Sequence, residues 1–131
     1  MDPAYKLEEF ILACKDILRV AVRDRAQKDA RDHFKLNTKK ELLRLISANV
    51  MESLCHINTK LWERNPNLHN IIMIDAYSFY SGKKFGYVAF RYNITNDTWF
   101  IKSFKLNREP DPRNRPFEGL EKLMALRKLE E

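Results

Sequence analysis

The chain has 131 residues, 44% of them hydrophobic and 32% charged, with 24 Lys and Arg against 18 Asp and Glu for a formal charge of +6. That length and balance predict one folded domain over residues 1–131 rather than a disordered chain. The glycines, Gly82, Gly86 and Gly119, are too few and too scattered for a phosphate-cradling loop, which excludes P-loop and dinucleotide fingerprints. The longest apolar run, Phe10 to Cys14, is far short of the ~20 residues that span a bilayer, and no signal-peptide pattern opens the chain. The expectation is a cytoplasmic protein with no membrane association.

Leu7, Phe10, Ile11, Cys14, Ile17, Leu18 and Ala21 recur at helical spacing, predicting one amphipathic helix that starts at Asp2-Pro3. From Arg23 to Lys35 the charges alternate in sign and the apolar stripe is lost. The helix there continues as a solvated extension or frays. The acids Asp24, Asp29 and Asp32 argue against a basic RNA-binding arm in this run. Thr38 and Glu41 form a capping box that opens a second helix burying Leu42, Leu45 and Ile46, with one further turn over Val50–Leu54. Residues 1–55 are thus the helical part.

"CHINTKLWERNPNLHN" reads as a short strand followed by a loop, with Trp62 anchoring that loop onto the core. Cys14 and Cys55 are the only cysteines, and both read as buried, reduced thiols. Neither they nor His33, His56 and His69 show metal-ligand spacing, so no metal or other cofactor is expected.

From Ile71 the period changes to two. "IIMIDAYSFY", "GYVAFRYN" and "TWFIKSFKL" are β-rich runs joined by connections short enough for hairpins, so residues 56–106 form an antiparallel sheet. Residues 107–131 supply a polar, Pro-rich loop and a closing helix carrying Leu120, Leu123 and Met124. The predicted fold is α+β: two N-terminal helices packed on a three- or four-stranded antiparallel sheet, with a C-terminal helix.

Alternation assigns the two sheet faces. Val88, Phe90 and Tyr92 align with Trp99 and Ile101 on a core face beneath Phe10, Ile17, Leu42 and Ile46. Tyr87, Arg91, Phe100, Lys102 and Phe104 fall on the other. For the first long strand, the register that buries Ile72, Ile74 and Ala76 sends Asp75, Tyr77 and Phe79 to the charged face, with Asp75 across from Arg91. A slip of one residue reverses that assignment. Between Lys83 and Arg115 stand Lys83, Lys84, Arg91, Lys102, Lys105, Arg108, Arg113 and Arg115 against Asp97, Glu109 and Asp111. Cations among aromatics suit a groove for a polyanion, since single-stranded RNA is held by stacking and phosphate contacts together. The alternative is a solvated face with an Arg91–Asp75 pair and aromatics packed under the C-terminal helix.

In element order the chain resembles the RelE-like superfamily of small bacterial toxins. "GYVAFRYNITNDTWFIKSFKLN", with Arg91 in the middle strand and "IKSFK" leading out of the next, looks like the sheet hairpins of those proteins. The resemblance covers roughly Thr38 to the end and rests on architecture, with no diagnostic motif. The predicted order departs from the family's in having no strand ahead of its first helix. The resemblance implies RNA or the ribosome as partner, a small antitoxin protein as a second partner, and metal-independent endoribonuclease activity. In that chemistry Arg91 stabilises the phosphate, Lys102 or Lys105 assists, and Tyr77 or Tyr87 serves in proton transfer or stacking. Competing readings are a non-catalytic module that binds nucleic acid or protein on the same face, and an accessory or phage-type interaction protein that uses its helical face.

Overall fold

In the computed structural model, which describes residues 2–63, 65 and 71–111, the first apolar stripe is helical only as far as Ala13. Helix α1, Leu7–Ala13, buries Phe10 and Ala13. Asp16 then ends the helical course, because its carboxylate accepts a hydrogen bond from the Leu18 N–H at 3.0 Å and offers the backbone a local alternative. A single 3-10 turn, Ile17–Arg19, leads into strand β1, Val20–Val22. The single helix expected through Ala21 is therefore corrected. Ile17, expected in the core, is 43% exposed.

The sign-alternating run is a helix in its own right, α2, Asp24–Phe34, whose buried stripe is only Ala26 and Ala30. Lys35, in the left-handed region at φ 59°, stops it with its N–H directed back to Arg31. Helix α3, Lys39–Ser47, begins at the predicted cap: Thr38 Oγ1 accepts from Glu41 N–H at 3.1 Å, and Glu41 Oε2 accepts from Asn37 N–H at 2.9 Å. It buries Leu42, Leu43 and Ile46. No extra helical turn follows. Instead β2 runs from Glu52 to Leu61, so the helical part ends before residue 55, and Cys55 is exposed rather than buried.

Strands β3 (Met73–Ser81), β4 (Lys84–Asn93) and β5 (Thr98–Leu106) follow as expected. The sheet has five strands in the order β1-β5-β4-β3-β2. All neighbours are antiparallel except β1 and β5, which pair in parallel with Val20 opposite Trp99. The architecture is α+β, with more strands than the sequence suggested and one parallel edge. The expected C-terminal helix lies outside the described residues. Among the described residues, no helix is long and apolar enough to cross a membrane.

The helices cover one face. Val88, Phe90, Trp99 and Ile101 are buried there with Phe10, Leu42 and Ile46, as alternation predicted. The Phe10 and Phe90 rings stack at 3.8 Å between centroids.

Two register assignments are corrected. On β3 it is Tyr77 and Phe79 that join this core, while Ile74 and Ala76 cluster with Ala89 on the opposite face. Asp75 also lies on the helix side. It is fully buried, accepting from the backbone N–H groups of Ala4 and Tyr5, each at 2.9 Å, and from Thr59 Oγ1 at 2.6 Å. Those donors remove the cost of burying a carboxylate that otherwise makes this register look unfavourable. On β5 a bulge changes the parity: Ile101 pairs with Phe90 and Ser103 with Ala89, leaving Lys102 as the extra residue. Phe104 consequently turns into the core, where it is fully buried, instead of sharing the face of Phe100.

Candidate functional site

The opposite face carries none of the described helices. Its floor is Ile74, Ala76 and Ala89, against which Trp62 and Tyr87 pack. The two alanines are cross-strand partners, and their small side chains leave room for rings above them. Trp62 reaches this position because β2 ends at Leu61 and the Trp62 N–H donates to the Ile72 carbonyl at 2.8 Å. It does not anchor a loop onto the main core.

Arg91 stands directly across from Phe100. Its guanidinium carbon lies 3.9 Å from the centroid of the Trp62 ring and 4.5 Å from that of Phe100. Burial between these rings lowers the Arg91 pKa, yet a guanidinium in a protein stays charged. Among the described residues no carboxylate lies within ion-pair distance of it. The expected Arg91–Asp75 pair does not form, because the two side chains are on opposite faces.

A cleft of about 740 Å³ opens here, lined by Arg23, Asn58, Lys60, Trp62, Tyr87, Arg91, Phe100 and Lys102 among others. A second hollow of about 520 Å³ adjoins it through Arg23, Lys102 and Ser103, and takes in Arg25, Asp29, His33, Lys105 and Arg108. Among the described residues they hold seven cations (Arg23, Arg25, Lys60, Arg91, Lys102, Lys105, Arg108) and two acids, Glu63 and Asp29. Asp29 faces Arg25 at 3.5 Å. The Lys105 ammonium lies 5.2 Å from the Tyr87 ring centroid. Burial first, and then the neighbouring Arg108, Arg25 and Lys102 charges, lower its pKa against the opposing pull of Asp29. Burial raises the Tyr87 pKa, partly offset by Arg108.

The predicted site residues thus divide. Arg91, Lys102, Lys105, Tyr87 and Arg108 come together on this face. Tyr77 does not: its ring stacks on Phe90 beneath the helices at 5.8 Å, and burial, then Asp75 and Glu8, raise its pKa. Lys84 is held elsewhere, its ammonium donating to the His33 carbonyl and lying 5.4 Å from the Phe34 ring. Lys83 sits exposed in the β3–β4 turn, where Gly82 supplies the positive φ. Arg113 and Arg115 lie outside the described residues. Sequence reasoning missed Asn58, Lys60 and Trp62, although their every-second-residue spacing marks one strand face once β2 is read at full length. Arg23 and Arg25 gave no such signal, since they follow a strand that reads as helix.

No family model, curated protein or solved structure significantly matches the chain.

Proposed function

We propose that the protein binds RNA on the sheet face opposite the described helices. The observation that carries this reading is Arg91, stacked between Trp62 and Phe100 without a described carboxylate partner, at the head of a continuous cationic cleft. Solvated sheet faces mix the two signs of charge, whereas this one gathers cations around aromatic rings, the combination that holds phosphates and bases. The test is fluorescence anisotropy of an unstructured labelled RNA across a salt series. Wild-type protein binds tightly at low salt, with log K falling linearly against log[salt] by ~0.7 for each phosphate contact. Arg91→Ala weakens binding while the far-UV spectrum stays native. Absence of binding at low salt would leave the charges as a solvated face.

Metal-independent cleavage is a second reading, favoured by the Tyr87–Lys105 contact. Burial and neighbouring cations lower the Lys105 pKa, which is the direction that a lysine acting as base on a 2′-hydroxyl requires. Arg91 would then stabilise the phosphorane. Incubation with RNA or translating ribosomes in EDTA separates the two readings. Cleavage that falls by ~10²–10³ in Arg91→Ala supports the enzyme, and intact RNA with retained binding supports the module.

A further inference from the structure

Resting on the RNA-binding reading, we infer that the ligand is a single strand whose bases stack on Trp62 and Tyr87, rather than a polyanion or duplex held by charge alone. Trp62, Tyr87 and Phe100 are half-buried on the face opposite the described helices, and all line the same cleft. Rings placed only to fill a core would be covered, as Trp99 is on the other face at 2% exposure. Rings placed at random would not converge on one guanidinium. Trp62 and Phe100 both contact Arg91, and Tyr87 contacts Lys105, so each ring that borders the cleft stands beside a cation. Bases and phosphates alternate along a nucleic acid in the same way.

Geometry also sets the path. Lys60 lies on β2 and Arg23 follows β1, so the cleft crosses the sheet from edge to edge. With strands ~4.8 Å apart, four spacings give a crossing of ~19 Å, which three or four nucleotides in extended form would span. A duplex turns its bases inward and offers the rings nothing to stack on.

The experiment uses Trp99→Phe, in which Trp62 is the sole tryptophan, and three probes: octauridylate, an RNA duplex of equal strand length, and inorganic polyphosphate. Octauridylate quenches Trp62 emission, and Trp62→Ala in the otherwise wild-type chain weakens its binding by about 5- to 150-fold, the range for loss of one stacked base. Trp62→Phe retains most of the affinity, and polyphosphate binds wild type and Trp62→Ala alike. In a length series the affinity gain per nucleotide levels off near four.

Octauridylate that binds without changing Trp62 emission overturns the inference, as expected if the face is filled from within the chain. So does a duplex that competes as well as the single strand, or a Trp62→Ala loss equal for RNA and polyphosphate. In each of those outcomes RNA binding itself still stands. Failure of both RNA probes to bind wild type at low salt removes the underlying reading.

Discussion

Asp75→Asn isolates the contact that ties the N-terminal segment to the sheet. Asp75 Oδ1 accepts from Ala4 N–H and Thr59 Oγ1, and Oδ2 accepts from Tyr5 N–H. The Thr59 hydroxyl has one proton and gives it to Asp75, so at the 2.8 Å contact with His56 Nε2 the imidazole must be the donor. Asparagine keeps the shape but replaces one acceptor by an NH₂ group, which then faces a donor. A hydrogen bond to a charged group contributes ~1.5–3 kcal/mol, and a buried donor left unmatched costs ~1–3 kcal/mol. The side chain is fully buried, so solvent does not screen the loss. The expected destabilisation is ~3–5 kcal/mol, a large share of the ~5–15 kcal/mol of an ordinary domain. Urea denaturation gives the magnitude, and amide exchange gives the location: Ala4 and Tyr5 lose protection before the β3–β4 ladder does. A change under ~0.5 kcal/mol with both amides still protected would show that Asp75 is not the anchor.

Gly86→Ala drives a Cβ into the Phe79 ring, closer than Cβ atoms come to a neighbour, and Phe79 is fully buried. Overpacking of this kind costs ~1–3 kcal/mol, and Phe79→Leu in the same chain should recover part of it; a neutral Gly86→Ala contradicts the packing. The Cys14 thiol, 3% exposed, is pushed by burial from 9.0 up to about 12. Its folded pKa is raised, so its contribution is complete below pH 9 and is lost as pH rises toward 12. Wild type should lose stability relative to Cys14→Ala by up to ~1.4 kcal/mol per pH unit across that window, and parallel profiles would refute the shift. Under native conditions near pH 8, a thiol reagent should label Cys55, which is exposed, and spare Cys14.

The parts of the fold that were legible in the chain are those fixed by neighbours in sequence. Thr38 and Glu41 are three residues apart, and the alignment of Phe90 and Tyr92 with Ile101 and Trp99 needs only a short turn, so both are legible. The misread parts depend on distant groups. Val20 and Val22 are strand residues because β5 lies beside them in parallel, some eighty positions later, while Ala21 between them continues the helical stripe that starts at Leu7. The β3 register turned on whether Asp75 could be buried. Its partners Ala4 and Tyr5 are backbone donors about seventy residues away, and no side-chain pattern announces them. Phe104 moved to the core through a single bulged residue, Lys102. Of the site, Arg91, Lys102, Lys105, Tyr87 and Arg108 could be grouped from the hairpin alone. Trp62 needed β2 at its full length, and Arg23 needed β1.

The proposed RNA binding belongs to one face and not to the net charge of +6 as a whole. A charge-matched comparison tests it directly. Lys102→Ala/Lys105→Ala removes two cations from the cleft, and Lys39→Ala/Lys40→Ala removes two from the start of α3. Salt titrations of RNA binding by both double variants and wild type should give a slope smaller by ~1.4 for the cleft variant, the value for two lost single-strand phosphate contacts. The α3 variant should follow wild type. Equal losses in the two variants would show that the chain attracts RNA by charge alone, and would contradict a binding face around Arg91.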